Sequence, residues 1–409
     1  MKKNKPEIRF NGFEDEWEDH DLNYYLVVST EKNQSEEYDK YDIYSVSREY
    51  GVINQIEYQG KSFAGASLSN YRVVFQGDVV YTKSPLKSQP YGIIKTNERK
   101  TGIVSALYGV FHPTEQVSAT FVQTYFELDG RLNDYLRPLV NKGAKNTLLI
   151  SDSQSLTGKV TFPQKEEQEK LAALFSSLDK LIRKLELKLE KLRNIKQSLL
   201  SKMFTNINRG GYEVPLIRFK NYNDNWQMKP LGLVANKYFI SNQNTHHQNL
   251  LSLSYGKIKK RDINSDKGLL PASFDTYQIV KDGVIVMRFT DLQNDQKSLR
   301  IGLAKEEGIV SPAYVCISIK DNTTEAAFLY QELHYYDAVL KQFYKMGDGM
   351  RQTLSYTDIV SLPVTIPNIR EQQDIAGFYD DLETYITKCE TKLSKTRMMK
   401  QSLLQKMFA

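Results

Sequence analysis

The stretch that decides the fold is Lys196-Gln197-Ser198-Leu199-Leu200-Ser201-Lys202-Met203-Phe204, which recurs as Lys400-Gln401-Ser402-Leu403-Leu404-Gln405-Lys406-Met407-Phe408. Eight of the nine residues are identical at a shift of 204 positions. The same shift aligns Pro163, Glu167, Gln168 and Ala172 with Pro367, Glu371, Gln372 and Ala376. A long internal repeat of this kind indicates that one structural unit occurs twice in the chain.

A second pair of matching segments opens each half of the chain. Pro6-Glu7-Ile8-Arg9-Phe10, followed by Trp17, returns as Pro215-Leu216-Ile217-Arg218-Phe219, followed by Trp226. Weaker matches follow in order between these ends, and they include Gly51 with Gly256, Gly77 with Gly283, and Gly102 with Gly308. Chance does not explain an ordered series at nearly one shift. The chain is therefore a tandem duplication whose ends stayed similar while its middles diverged.

Each half ends in a long predicted helix. Apolar residues recur at steps of three and four that average 3.5, which is typical of a coiled coil. The predicted seam of the first helix is Leu171, Leu174, Leu178, Leu181, Leu185, Leu192, Ile195 and Leu199, with Lys188 in the gap. The predicted seam of the second is Ile375, Phe378, Leu382, Tyr385, Cys389, Met399 and Leu403, with Lys392 and Thr396 in the gap. Residues 166–203 would form a helix about 57 Å long. Two such helices, paired antiparallel, would make a rigid spacer longer than one turn of DNA, about 34 Å.

The segments before the helices, residues 20–160 and 229–364, have the pattern of mixed α/β domains. Residues 73–80 and 279–286 predict a strand, a turn at Gly77 or Gly283, and a second strand. Residues 116–139 and 324–344 are predicted to be mostly helical. We therefore expect a mixed α+β fold with two globular domains joined by two long helices.

Polar and basic residues follow the glycine turns and differ between the halves. Any one of them is more often an exposed loop residue, but two clusters at equivalent repeat positions make a binding surface equally plausible. Side chains of these types contact base edges and phosphates. The candidate DNA-binding residues are Ser47, Arg48, Lys83, Lys87, Gln89, Tyr91, Lys95, Arg99, Lys100, Ser254, Tyr255, Lys257, Lys259, Arg288, Thr290, Gln293, Lys297, Arg300 and Arg351.

Composition permits a nucleic-acid partner without requiring one. The net charge is +6, from 55 basic and 49 acidic residues, which is a mild excess. No apolar run reaches the length of a membrane span, and the basic N-terminus leads into no apolar stretch, so we expect a cytoplasmic protein. Cys316 and Cys389 are too far apart to make a redox or metal motif.

Catalytic motifs are not found in the sequence. It has no phosphate-binding loop and no histidine spacing suited to a metal. The nearest approach to an adenine methyltransferase motif is Ser311-Pro312-Ala313-Tyr314, which lacks the amide and the second proline. We therefore expect neither catalytic residues nor a metal site in this chain.

Together these features resemble the specificity (S) subunit of type I restriction–modification enzymes over nearly the whole length. The resemblance rests on the paired openers with Trp17 and Trp226, the two glycine turns, and Gly143…Thr147 with Gly349…Thr353. It rests most on the Glu-Gln pairs that lead into long helices ending in Lys-Gln-Ser-Leu-Leu.

The resemblance implies an architecture and a function. Residues 1–160 and 208–364 would be target-recognition domains, each reading half of a bipartite, asymmetric DNA site. Residues 161–207 and 365–409 would be spacer helices that set the gap between the half-sites. The helices would also recruit two modification subunits, which methylate adenine with S-adenosylmethionine. Two restriction subunits, which use ATP and magnesium, would complete the complex, and this chain would hold no cofactor itself.

Two other interpretations stay open from the sequence. One is a self-contained DNA methyltransferase or nuclease, and the other is a coiled-coil scaffold without a DNA role. The sequence does not reveal the target site or the length of the gap.

Overall fold

The computed structural model describes residues 5–62, 65, 67–83, 89–142, 148–204, 215–243, 245, 247–254, 256–263, 271, 273–289, 300–335 and 354–408. The chain divides into two compact units. Unit 1 comprises Met1–Leu187 with Thr391–Ala409, and unit 2 comprises Lys188–Glu390. Each unit thus contains one globular segment and a part of each long helix.

The strands are short, and most of those in unit 1 have a counterpart in unit 2. Those of unit 1 are β1 (Glu18–Asp21), β2 (Leu26–Val28), β3 (Ile43–Ser47), β4 (Gly51–Asn54), β5 (Arg72–Val74), β6 (Val79–Thr82), β7 (Ile93–Thr96), β8 (Gly102–Val104), β9 (Gly109–Pro113), β10 (Asn141–Lys142), β11 (Leu148–Leu149) and β12 (Lys159–Phe162). Those of unit 2 are β13 (Gln227–Pro230), β14 (Ala235–Tyr238), β15 (Leu251–Ser254), β16 (Lys257–Lys260), β17 (Gln278–Val280), β18 (Ile285–Met287), β19 (Ile301–Leu303), β20 (Gly308–Val310), β21 (Val315–Ile319) and β22 (Pro363–Ile366).

Short helices accompany the sheets, and two long helices follow the globular segments. The α-helices are α1 (Gln55–Gln59), α2 (Ala119–Tyr125), α3 (Asp129–Leu136), α4 (Lys165–Met203), α5 (Leu231–Val234), α6 (Ala326–Tyr335), α7 (Tyr356–Ile359) and α8 (Ile369–Lys406). Single 3₁₀ turns occur at Leu22–Tyr24 and Gln154–Leu156. In the part of the chain that the structure describes, no helix is both long and apolar enough to cross a bilayer.

One four-stranded sheet and one two-stranded sheet have the same topology in both units. A four-stranded sheet has the order β2-β9-β6-β7 in unit 1 and β14-β21-β18-β19 in unit 2. The strand before each long helix pairs antiparallel with the first strand of its segment, β1 with β12 and β13 with β22. The mixed α+β fold and the internal repeat predicted from the sequence are confirmed.

The glycine turns carry the chain from one sheet to another. Gly77 has φ +93° and Gly283 has φ +82°, a conformation that side chains with a Cβ rarely adopt. In unit 1 the strands on either side belong to different sheets, since β5 pairs with β8 whereas β6 pairs with β7 and β9. The predicted strand-turn-strand pattern is confirmed in both units. The predicted helical regions contain α2 and α3 in unit 1 and α6 in unit 2, and residues 336–344 lie outside the described residues.

An aromatic cluster forms the centre of the core of unit 1, and the end of α8 contributes to it. The Phe408 ring lies 6.1 Å from Trp17 and 5.7 Å from Phe121, between ring centroids. Leu404 and Met407 are buried in the same cluster. The last turn of the chain is therefore part of the core formed by the first globular segment.

The core of unit 2 repeats this arrangement with the end of α4. The Phe204 ring lies 6.4 Å from Trp226 and 5.6 Å from Phe328. Leu200 and Met203 are buried beside it. The first copy of the Lys-Gln-Ser-Leu-Leu motif thus ends in the core of the second globular segment, and the second copy ends in the core of the first. Packing into equivalent pockets explains why the two copies are nearly identical.

The long helices pair antiparallel inside each unit. In unit 1, Asp179 contacts Lys400 and Glu186 contacts Arg397. Residues later in α4 therefore contact residues earlier in α8. In unit 2 the same holds for Arg193 with Glu390, at 2.7 Å, and Lys196 with Glu383, at 2.7 Å. The antiparallel pairing expected from the sequence is confirmed within each unit.

The register of the seam differs from the prediction at most of its alternate positions. The predicted seam residues Ile195, Tyr385 and Met399 are 39%, 44% and 49% exposed. The buried position lies one residue further along the helix. The residues that are more buried than the predicted residue before them are Phe175, Leu189, Lys196, Tyr379, Ile386, Leu393 and Lys400, whereas Leu181 and Ile182 are both half-buried.

Two adjacent apolar residues occur at several of these positions, so both choices preserve a 3.5-residue period. The two choices differ most clearly at the polar gap in each predicted seam. Lys188 and Lys392 are exposed, whereas Leu189 and Leu393 are buried. The prediction that Lys188 and Lys392 occupy the seam is therefore wrong. The cations that do reach it are Lys196 and Lys400.

Candidate nucleic-acid interface

Each globular segment is joined to its long helix by a buried ion pair. The Arg9 guanidinium donates to both carboxylate oxygens of Glu167, at 2.8 and 2.7 Å. Arg218 does the same to Glu371, at 2.7 Å to both oxygens. The glutamates are almost fully buried, at 1% and 0% side-chain exposure. Two-point pairing fixes the angle between the opening segment and the helix, which explains the repeated Ile-Arg-Phe and Glu-Gln motifs.

The glutamine after each glutamate makes three further contacts. Gln168 accepts from the Ser118 backbone N–H and donates to the carbonyls of Gln116 and Pro163. Its counterpart in unit 2, Gln372, makes the same set of contacts: it accepts from the N–H of Glu325 and donates to the carbonyls of Thr323 and Pro367. These bonds position the loop before α2 in unit 1 and the loop before α6 in unit 2.

A lysine from the helix pair forms a charge cluster with its globular segment in unit 1. The Lys400 ammonium group donates to the carboxylates of Asp179 and Glu127, although its side chain is only 9% exposed. Burial raises the pKa of Asp179, and the hydrogen bond and charge of Lys400 oppose that shift. Burial also lowers the pKa of Lys95, while Glu127 acts in the opposite direction.

Unit 2 has a related cluster at the equivalent positions. Lys196 donates to Glu383, and Lys257 from the start of β16 contacts the same carboxylate. Burial disfavours the charge of Glu383, but its bonds to the two lysines outweigh this and lower its pKa to about 2. Burial also lowers the pKa of the nearby His334 to about 4. In both units a seam lysine therefore joins a helix carboxylate, and a further charged group of the globular segment completes the cluster.

A large cleft lies in unit 1 between the globular segment and the helix pair. Its volume is about 2030 Å³, and it is lined by the turn between β3 and β4, strand β7, helices α2 and α3, and both long helices. Ten basic side chains line it: Lys5, Arg48, Lys95, Arg99, Arg131, Lys159, Lys180, Arg183, Arg397 and Lys400. Eight acidic ones also line it: Glu7, Glu49, Glu98, Glu127, Asp129, Asp134, Asp179 and Glu186. The excess of positive charge is small. The local electrostatics of the cleft therefore depend on individual ion pairs rather than on its net charge.

Three of the sequence-derived candidates come together in this cleft. Arg48 and Arg99 are partly exposed and paired with Asp129 and Glu57, respectively. Lys95 also lines the cleft, but only 8% of it is exposed. Its side chain lies in the interior because β7 is covered on both faces, with all four of its residues buried. A surface contact by Lys95 with a phosphate, as expected from the sequence, is not supported.

The remaining candidates of unit 1 lie outside the cleft. Lys83 pairs with Asp152 at 2.7 Å, and Lys100 with Asp42 at 3.1 Å. Gln89 is buried, at 3% exposure, which contradicts its expected place on a surface. Ser47 accepts hydrogen bonds from the next turn of backbone, and Tyr91 provides a carbonyl for the Tyr81 hydroxyl. Lys87 lies outside the described residues.

The candidates of unit 2 that the structure describes flank one hairpin and one strand end. Lys257 and Lys259 are exposed on β16, and Ser254 is half-buried on its partner strand β15. Arg288 and Arg300 are half-buried at the ends of β18 and β19. The candidates that lie outside the described residues are Tyr255, Thr290, Gln293, Lys297 and Arg351.

Sequence reasoning missed the residues that the helices contribute to the cleft. Lys180, Arg183 and Arg397 line it, although the helical pattern alone assigns them to a solvated face. The charge cluster around Lys400 was missed as well. One signal was present, because Lys400 and Lys196 are identical repeat positions and so are the acidic residues Asp179 and Glu383.

A buried carboxyl group distinguishes unit 2 from unit 1. Glu332 of α6 accepts from the backbone N–H and, at 2.6 Å, from the hydroxyl of Thr365. Its second oxygen has no hydrogen-bond partner among the described residues. The equivalent residue of unit 1 is Tyr125, which contacts the backbone of Thr161. Burial raises the pKa of Glu332 from 4.5 to about 8.

This raised pKa predicts that unit 2 loses stability as the pH rises. The folded chain keeps the proton of Glu332 up to about pH 8, whereas the unfolded chain releases it near pH 4.5. The stabilisation is fully present below about pH 4.5 and falls by about 1.4 kcal/mol per pH unit until the folded pKa is passed. Urea unfolding of unit 2 should show this slope between pH 6.5 and 8, because below pH 6.5 the lowered pKa of His334 contributes an opposite slope. Glu332→Gln should flatten it, while Glu190→Gln, at an exposed glutamate of α4, should leave it unchanged.

No group of three or more metal-ligating side chains occurs among the residues that the structure describes. The cleft of unit 1 is charged, and the partly exposed Arg48 and Arg99 line it.

Comparison with solved structures identifies the fold. The chain is similar to the type I restriction-modification system S subunit from M. genitalium, with a TM-score of 0.63 and 12% identity over 99% of both chains. The fold is that of a type I specificity subunit. This confirms the fold implied by the sequence resemblance.

Two further structures are more distant. One is a chain from a study of complex assembly and conformational transition of the type I R-M system, with a TM-score of 0.44, 14% identity, and coverage of 96% of this chain and 97% of that one. The other is the HsdS subunit from Thermoanaerobacter tengcongensis, with a TM-score of 0.42, 13% identity and 96% coverage of both chains. Neither protein-family models nor curated protein sequences match the chain.

Proposed function

We propose that the chain is the DNA-specificity subunit of a type I restriction–modification complex and is itself non-catalytic. The observation that carries this proposal is the shared fold, which matches an S subunit from end to end at a TM-score of 0.63. The internal repeat supports it, since two units of one topology with different surface residues suit an asymmetric target in two parts.

In the proposed mechanism each unit reads one half of the site. Arginines and lysines at the rim of the cleft contact phosphates, which supplies affinity and makes binding dependent on salt. Polar side chains of the divergent segments contact base edges and supply specificity. Since one chain carries both units, the binding of one half-site raises the effective concentration of the other unit at its own half-site.

The proposed partners follow from the same assignment. The long helices would dock two modification subunits, which use S-adenosylmethionine to methylate an adenine flipped out of the duplex. Two restriction subunits, with ATP and magnesium, would complete the complex in the cytoplasm. Because the helices and opening motifs are the most similar parts of the repeat, they would offer the two modification subunits equivalent surfaces.

The proposal is tested by expressing the chain with its modification subunit and reading adenine methylation across the host genome. We expect methylation at one bipartite motif with a fixed gap. Exchanging residues 20–160 for the corresponding segment of another S subunit should change one half-site and keep the other. Methylation or cleavage of DNA by the purified chain alone would instead indicate a self-contained enzyme. No methylation and no DNA binding by the complex would favour a scaffold.

A further inference from the structure

The turn between β3 and β4 in unit 1 contains an arginine that is paired with a carboxylate. The Arg48 Nη2 atom lies 2.7 and 2.6 Å from the two carboxylate oxygens of Asp129. Asp129 begins helix α3, and both residues line the cleft. The pair is partly open to solvent, since the side chains are 46% and 31% exposed.

The equivalent hairpin of unit 2 also has a cation that contacts a carboxylate, but this carboxylate lies on the long helix α8 and also contacts Lys196. Its turn lies between β15 and β16, and Gly256 there has φ +73°, as Gly51 has φ +70° in unit 1. The cation is Lys257, which follows the turn glycine, whereas Arg48 precedes its own. Lys257 contacts the Glu383 carboxylate, and its side chain is also 46% exposed. Two units with diverged sequences thus each place a hairpin cation against a carboxylate.

A carboxylate and a phosphate present similar geometry to such a cation. Both are anionic oxygen acceptors, and a guanidinium binds either with two parallel hydrogen bonds. Asp129 is held in place by α3, where a negative charge is favoured at the helix N-terminus. It therefore holds Arg48 in the cleft while both side chains remain partly exposed.

We propose that Arg48 and Lys257 are phosphate-contacting residues that Asp129 and Glu383 occupy in the free protein, so that DNA binds by exchanging each carboxylate for a phosphate. This inference rests on the proposed DNA-binding function. The exchange lowers the affinity for every duplex by the energy of the ion pair. Phosphate contacts carry no sequence information, so the lower affinity also applies to DNA of random sequence. The exchange would therefore reduce the time that the protein spends on such DNA.

The test measures binding of a random-sequence duplex to the full chain with its modification subunit, at several salt concentrations. Asp129→Asn should tighten binding by about threefold to fivefold, as expected for releasing one exposed ion pair. Arg48→Ala should weaken binding and reduce the salt slope by about one, and Lys257→Gln should do the same from unit 2. In the Arg48→Ala background, Asp129→Asn should have little effect, because the exchange no longer exists.

Asp134→Asn is the matched control, because it removes the same charge from the same helix and the same cleft but pairs with Arg137 instead. If it tightens binding as much as Asp129→Asn does, or if Asp129→Asn acts equally without Arg48, the exchange is overturned in favour of a general charge effect. If the parent complex binds DNA and Asp129→Asn changes nothing, the exchange fails while the proposed function stands. If the parent complex does not bind any duplex, both fail.

Discussion

Replacing Phe408 by alanine is expected to lower the free energy of unfolding of unit 1 by about 3–5 kcal/mol. Phe408 is 4% exposed and lies among the rings of Trp17, Phe121 and Phe175, which are 5.6 to 6.1 Å away. Truncation would remove its buried area and leave a cavity between side chains that α4 and the globular segment hold in place. Although Phe408 is the last residue but one, the effect should be that of a central core substitution.

The chain provides its own reporters for this measurement. Its two tryptophans, Trp17 and Trp226, lie in the cores of unit 1 and unit 2, respectively. Urea unfolding followed by fluorescence in a Trp226→Phe background therefore reports on unit 1 alone, and a Trp17→Phe background reports on unit 2. Phe408→Ala should shift the first transition and leave the second nearly unchanged.

Phe204→Ala is the matched counterpart, because Phe204 occupies the same repeat position and packs against Trp226 in unit 2. It should shift the second transition by a similar amount. If Phe408→Ala moved the transition of unit 2 instead, the assignment of each helix end to its core would be wrong. Equal shifts of both transitions by either variant would show that the two units unfold as one.

The sequence identified the long helices correctly but not their buried face. Leu174 and Phe175, or Leu181 and Ile182, satisfy a 3.5-residue period equally well, because either member of each pair continues it. Which member of each pair is buried depends on the side chains that the helix contacts in the folded chain. Lys196 and Lys400 are tolerated in the seam because carboxylates 187 residues or more away in the sequence compensate their charges. A pattern along one helix contains no information about those partners.

Partners that are distant in the sequence are even harder to predict for the candidate site. Arg48 and Arg99 were found because basic residues cluster along the sequence, and the fold does bring them to one cleft. Asp129 lies 81 residues from Arg48, and no local signal relates the two. Only the repeat offered long-range information, since equivalent positions in two copies should have equivalent neighbours. It could have indicated the clusters around Lys196 and Lys400, whose acidic partners on the helices also match.

Lengthening both long helices by one heptad is expected to abolish methylation at the original target and to move it to sites with a longer gap. Duplicating residues 181–187 in α4 and 384–390 in α8 preserves the phase of both seams, because the seam repeats every seven residues. The insertion adds about 10 Å of helix, which corresponds to about three base pairs at 3.4 Å each. Genome-wide adenine methylation in the presence of the modification subunit measures both the motif and the gap.

The efficiency of methylation should depend on the number of inserted heptads. One heptad changes the facing of an α-helix by only about 20°, whereas three base pairs rotate DNA by roughly a quarter to a third of a turn. The half-sites would then face different directions, so methylation should be weak after one insertion. Three heptads add about 31 Å, close to the 34 Å of a full DNA turn, and should restore it at a gap longer by about nine base pairs.

The control is to lengthen α4 alone, which leaves seven residues without a partner and should reduce methylation at every gap. Both half-sites should keep their sequences in the matched insertions, because the proposed function assigns the reading of DNA to the globular segments. A changed half-site with an unchanged gap would show that the helices are not the spacer. That result would leave the fold assignment intact, since the fold rests on the packing within each unit and on the similarity to a solved S subunit.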